Sequence, residues 1–408
     1  MRHQDRNVRR DETQRMSEAT SPETAQPDIA PSRIGMLETP CLIIDAERMD
    51  RNIARLRGRL APMGVPLRPH LKTAKSIEVA VRAMSSPQGP ATVSTLKEAE
   101  FFAGAGVRDI IYAVGITPCK LTKVIELRRC GVDLAVILDT VEQAEAVALA
   151  SRTSGNAIPA LIEIDCDGHR SGVPPQDIER LVSIGRALVQ GGELRGVLTH
   201  AGGSYAAQGA AALRQAAEAE RLSVVSAAEA LRKVGLPCPV VSVGSTPTAH
   251  HAADLTGVTE VRAGVFVFFD LVMAGIGICE IDDIAVSVLA TVIGHQREKG
   301  WILIDAGWMA MSQDRGTSKQ DINQGYGVVC DSSGEPFHDL ILADANQEHG
   351  IVTLRPGSRS VLPDLAIGDR VRILPNHACA TGAQHRSYHV VHGKSDIVTN
   401  EWERFSGW

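Results

Sequence analysis

The chain has 408 residues, 44% hydrophobic, 22% charged and only 4% aromatic, and its 42 Lys and Arg against 48 Asp and Glu leave a net charge of -6. A chain of this length can bury large cores without disulfide staples and suggests two or three domains. The acidic balance argues against nucleic-acid or anionic-membrane partners, which call for basic excess, and no apolar run approaches the ~18–20 residues of a membrane span.

Residues 1–35 are rich in Arg, Asp, Glu, Gln, Ser, Thr and Pro and read as a disordered extension. They lack the apolar stretch of a secretory signal, and their acidic residues speak against an organellar transit peptide. The eight cysteines are scattered, with no C-x-x-C pair, and read as reduced thiols of a cytoplasmic protein.

From about residue 39 short apolar runs alternate with amphipathic stretches. Strands are expected over 41–45, 67–72, 91–94, 109–114, 133–138, 160–165, 194–199 and 240–243. Helices are expected between them over 48–60, 96–105, 140–151, 175–189 and 208–234. Such alternation means βαβ units and a parallel sheet, hence an α/β fold. About eight units suit a (β/α)8 barrel over residues 36–275 better than the runner-up, a doubly wound open sheet. Beyond that point helical signals nearly vanish. Segments 284–293, 301–305, 351–354 and 370–374 are β-like and separated by turn residues, which predicts a second, mostly antiparallel β domain over 276–408.

Three motifs carry chemistry. In Arg68-Pro69-His70-Leu71-Lys72, strand alternation puts Arg68, His70 and Lys72 on one face, pointing inward at the carboxyl end where barrel enzymes work. A desolvated lysine among other cations is a nucleophile for a carbonyl carbon, although a solvated basic strand end explains the same residues. Val243-Gly244-Ser245-Thr246 leads a strand into a turn whose amides and hydroxyls can cradle an anion; Ser and Thr are equally ordinary helix caps. In His377-Ala378-Cys379 an extended spacing projects two ligand types to one side. Thiolate with imidazole favours Zn2+, and two protein ligands leave positions open for substrate. A buried Cys near a surface His fits that spacing as well.

Thr39-Pro40-Cys41 leading to Ile44-Asp45, then Arg68-Pro69-His70-Leu71-Lys72-Thr73-Ala74-Lys75, resembles the D-threonine aldolase and D-serine dehydratase family. These are pyridoxal-phosphate enzymes with an alanine-racemase-like barrel, and the resemblance extends over nearly all of residues 36–408. It implies that Lys72 carries pyridoxal 5'-phosphate and is the base on Cα, with His70 beside the cofactor. It further implies Arg170 as partner of the phenolic oxygen, His200 stacked on the ring, Gly244, Ser245 and Thr246 on the phosphate, and Tyr205 on phosphate or substrate. Aldolase-type members tend to carry a Tyr-His pair where this chain has His200-Ala201, and His-x-Asp where it has His377-Ala378-Cys379. Both departures point to the dehydratase-like branch, and Cys379 discriminates most. Phe266 stands where members often have tyrosine, so it receives no phosphate contact.

The activity so implied is metal-assisted loss of water from a D-3-hydroxy amino acid, such as D-serine or D-threo-3-hydroxyaspartate, giving a 2-oxo acid and ammonia. Zn2+ would sit at His377 and Cys379, in a homodimer. Retro-aldol cleavage to glycine and an aldehyde is the alternative. A non-catalytic pyridoxal-phosphate carrier leaves the second domain unexplained.

Overall fold

Apolar strands buried on both faces favour a parallel sheet sheathed by helices, and the chain builds one. The structure, a computed structural model, describes residues 32–408. Its first sheet has eight strands in the order Leu67–Pro69, Glu260–Ala263, Val240–Val243, Glu193–Thr199, Pro159–Ile164, Asp133–Leu138, Asp109–Gly115, Ala91–Val93. Every pairing within it is parallel. The two ends meet through a parallel bridge between His70 and Thr92 and a 2.9 Å bond from the Leu71 amide to the Thr92 carbonyl. That closure makes the sheet a barrel and removes the doubly wound alternative.

Helix signals are local. The Asp45 carboxylate accepts from the amides of Glu47 and Arg48 to start Ala46–Leu60, and Thr140 and Gln143 cap Val141–Ser154 reciprocally.

The second sheet has nine strands, ordered Trp301–Ile304, Gly350–Leu354, Pro336–Ala345, Gly327–Cys330, Arg370–Pro375, Val286–Gln296, Cys41–Asp45, Ser387–Val391, Asn400–Glu403. It is antiparallel except where Cys41–Asp45 runs parallel to Ser387–Val391.

Two strand assignments change. Cys41–Asp45, expected as the first barrel strand, lies inside the second sheet between Val286–Gln296 and Ser387–Val391. Leu42, Ile43 and Ile44 are fully buried there, and an interior strand covered on both faces looks the same in sequence whichever sheet it joins. The eighth barrel strand is instead Glu260–Ala263, which its charges disguise. Those charges are satisfied inside the barrel. Glu260 accepts from Arg68 Nε at 2.8 Å and from Ser242 Oγ at 2.7 Å, while Arg262 donates to Ser242 Oγ and to the Thr199 carbonyl, each at 2.6 Å. Glu260 is paired with Arg68, and Arg262 is held by neutral acceptors, so each buried charge has hydrogen-bond partners.

The expectation of disorder over 1–35 lies outside the described residues except for its last four. There Ser32–Arg33 pairs antiparallel with Ile397–Val398, and Ile34 is buried against Ile43, Leu289, Val391 and Val398.

Candidate active site

A cavity of about 450 Å³ is lined from both sheets. It gathers the residues to which the family resemblance gives roles, His70, Lys72, Arg170, His200, Tyr205, Gly244, Ser245, Thr246, His377 and Cys379, while Arg68 does not line it.

On the barrel side the lysine does not sit on a strand. The strand ends at Pro69, His70 makes the closing bridge, and Lys72 lies in the turn that follows. The expected convergence of three cations is also corrected. Arg68 is held by Glu260 and by Asp109, whose Oδ1 lies 2.7 Å from Nη1, so its charge is neutralised. His70 is pushed well below the usual imidazole range, by burial first and then by the charges of Lys72 and Arg262. The Lys72 amide donates to His70 Nδ1 at 3.4 Å, which leaves Nε2 facing Ser94 Oγ at 3.4 Å.

His200 contacts the Gly244 carbonyl through Nδ1 at 2.6 Å, fixing the proton there and leaving Nε2 as the lone-pair nitrogen. Burial and the nearby Arg170 push it down to about 3.

The Gly244 turn works differently from the simple cradle read in the sequence. Its amide donates to Glu220 Oε1 at 3.0 Å, and the Ser245 amide and hydroxyl both bond Thr248 Oγ1. Gly244 is required because its φ is 150° and a Cβ would lie 1.9 Å from the Arg262 carbonyl oxygen. The group left over is Thr246 Oγ1, buried and without a hydrogen-bond partner. An orphaned hydroxyl beside the cavity is what a phosphate oxygen would satisfy, so the residues present fit a phosphorylated cofactor.

The second-domain side holds the metal candidates. They are not on an extended segment, as their spacing suggested. The strand ends at Pro375, His377 occupies the N-cap of the short helix Ala378–Gly382, and Cys379 is in its first turn. Both still reach the cavity. His377 Nδ1 contacts Asp314 Oδ2 at 2.6 Å, which aims Nε2 elsewhere as a ligand must be aimed. Burial disfavours the His377 cation, yet Asp314 and Cys379 together raise it to about 11. Burial likewise opposes the Cys379 thiolate, and His377 overcomes it and lowers the thiol. Thiolate beside imidazole is the donor chemistry of a soft divalent ion, and the pair fits one. Among the described residues no group of three or more His, Cys, Asp or Glu is arranged around a metal position.

Several contributors had no signal in the sequence. Asp270 is fully buried, accepts from the Ala378 amide at 3.0 Å, and so anchors the helix carrying Cys379. Glu220 ties the Ala201 and Gly244 amides together. Glu163 lines the cavity and accepts from Ser171 Oγ at 2.9 Å; burial holds its carboxyl above the usual range. Arg262 lines it too. Asp270, Glu220 and Arg262 act on partners far along the chain, where local pattern is mute.

Known proteins match this chain over most of its length. The alanine racemase N-terminal domain family matches residues 44–272, and a putative serine dehydratase domain matches residues 285–391. The chain is 54% identical over 375 residues to D-threo-3-hydroxyaspartate dehydratase of Delftia sp. (strain HT23), covering 91% of this chain and 98% of that protein. It is 28% identical over 389 residues to D-serine dehydratase of Dictyostelium discoideum, covering 90% and 96%. A solved structure of a D-threo-3-hydroxyaspartate dehydratase mutant in its metal-free form superposes with a TM-score of 0.89 at 52% identity, covering 92% of this chain and 100% of that one. The chain therefore belongs to the family that joins an alanine racemase N-terminal barrel to a serine dehydratase domain.

Proposed function

We propose that the protein is a pyridoxal-phosphate- and metal-dependent lyase that eliminates water from a D-3-hydroxy amino acid, with D-threo-3-hydroxyaspartate and D-serine as the candidate substrates. The observation that carries this is the meeting of Lys72 with the His377–Cys379 pair in one cavity. When bound, pyridoxal phosphate supplies an electron sink for charge at Cα, and a divalent ion, for which thiolate and imidazole select Zn2+, supplies a Lewis acid at the β-hydroxyl.

The chain's own residues do the rest. Lys72 holds the cofactor and, through Nζ, takes the Cα proton of the substrate. Thr246 holds the phosphate through its free hydroxyl, with Ser245 shaping the turn and Gly244 giving the backbone room, and Tyr205 bears on phosphate or substrate. Arg170 bears on the phenolic oxygen. His70 and His200 are neutral, so they border the cofactor without adding charge that would compete for its anionic groups. His377 and Cys379 hold the metal. Loss of the Cα proton and of the β-hydroxyl releases an enamine, and water converts it to a 2-oxo acid and ammonia. Support for the dehydratase branch comes from Cys379 and from the 54% identity to a D-threo-3-hydroxyaspartate dehydratase. The proposal includes a cytoplasmic homodimer, in line with the family resemblance and with eight unpaired cysteines.

The test is to incubate the holoenzyme with D-threo-3-hydroxyaspartate, D-serine and D-threonine and assay 2-oxo acid, ammonia and glycine. Matching yields of 2-oxo acid and ammonia are expected. Glycine without ammonia would establish the aldolase alternative instead.

A further inference from the structure

Thr73 touches both halves of the site. It follows Lys72 in the turn, is only 1% exposed, and its Oγ1 lies 3.2 Å from Cys379 Sγ. Gly264 leaves it space, since a Cβ there would come within 3.1 Å of Thr73 Oγ1. The same turn is held from the second domain at two further points. Tyr388 Oη donates to the Ala74 carbonyl at 2.7 Å, and the Phe405 amide donates to the Lys75 carbonyl at 2.7 Å. Arg404 Nε in turn donates to Tyr388 Oη at 3.1 Å. These two contacts fix only backbone. Thr73 is the contact that joins the lysine turn to a metal candidate.

We propose that Thr73 is a positioning residue that couples the metal pair to the lysine turn: its hydroxyl orients the Cys379 sulfur, and metal binding there steadies the segment carrying Lys72. The inference rests on the reading of His377 and Cys379 as metal ligands. The chemistry of the contact supports it. Cys379 Sγ and Thr73 Oγ1 are in hydrogen-bond contact, and a sulfur that ligates a metal as thiolate has no proton to give, so the threonine hydroxyl is the donor in that contact. A hydrogen bond onto a ligating sulfur fixes its lone-pair direction, and such outer partners commonly govern affinity. Through the backbone of Thr73 the same bond constrains its neighbour Lys72.

The experiment uses the full-length, pyridoxal-phosphate-loaded protein with Zn2+ as probe, comparing wild type, Thr73→Val, Thr73→Ser and Cys379→Ala. Zn2+ affinity is measured by competition with a chelating dye, and amide hydrogen exchange is followed over residues 71–76 with and without Zn2+. Thr73→Val keeps the branched shape and removes the hydroxyl; Thr73→Ala serves the same comparison if the valine protein does not fold. Thr73→Val should bind Zn2+ about tenfold more weakly and lose the Zn2+-dependent protection of 71–76, and Thr73→Ser should restore both. Wild-type affinity and protection in Thr73→Val would overturn the inference. Zn2+ uptake that persists unchanged in Cys379→Ala would instead overturn the metal-pair reading, and this inference with it.

Discussion

The barrel and second-domain sides of the cavity are assembled by different means. On the barrel side, functional groups stand at strand ends or in the next turn, and their partners come from adjacent strands. His200 leans on Gly244 one strand away, and His70 on Ser94 across the closing bridge. On the other side, His377 and Cys379 stand on a short helix whose partners are distant in the chain: Asp314, Asp270 and Thr73. A barrel places its residues as a by-product of closing. The His377–Cys379 pair acquires its orientation only when remote segments come together.

Four substitutions probe the two sides separately. Lys72→Ala should have the largest effect, lowering kcat by at least about 10²–10⁴-fold as loss of a positioned base does and abolishing the visible absorbance of the bound cofactor. Survival of that absorbance would remove Lys72 from its role. Cys379→Ala should lower activity and bound metal together and leave the cofactor absorbance intact. Loss of the cofactor as well would mean the two halves are not separable.

Glu260→Ala addresses the frame beneath both. It leaves Arg68, 8% exposed, with Asp109 alone, and should destabilise the fold by about 3–5 kcal/mol in denaturant titration. A change near zero would show that the barrel tolerates an opened ion pair. The smallest effect concerns His250, whose Nδ1 contacts the Thr246 carbonyl at 2.9 Å in the helix that follows the Gly244 turn. Burial pushes it from 6.5 down to about 4. Above pH 6.5 neither state carries the proton. Below it the unfolded chain takes up a proton that the folded one refuses, so stability is lost as pH falls toward about 4. His250→Gln should flatten the pH dependence of Tm in that window and leave Tm at pH 8 the less affected. An unchanged slope would assign the acid sensitivity to other groups.

Legibility in the sequence followed the same division. Seven of the eight strands first expected belong to the barrel, because apolar runs flanked by turns are local signals. Glu260–Ala263 escaped because a strand that pairs its charges inside a barrel looks like a surface loop. Cys41–Asp45 was assigned to the wrong sheet because its burial is the same in either. Lys72, His377 and Cys379 were visible as motifs, and their resemblance to a known family gave them roles. Asp314, Asp270 and Glu220 were not, since each is an ordinary residue made important by a neighbour far along the chain, and Thr73 stood inside a motif without a role of its own.

The strand Cys41–Asp45 has a consequence for how the molecule is made. It is laid down early, yet the strands that flank it in the second sheet, Val286–Gln296 and Ser387–Val391, are translated only after the whole barrel. During synthesis its apolar faces must wait uncovered or be sheltered by the growing chain. In topological terms the barrel is a long excursion between two neighbouring strands of one sheet. No single cut therefore yields two intact halves: a fragment beginning at residue 276 lacks an interior strand of its sheet, and one ending at 275 carries that strand with nothing to pair it.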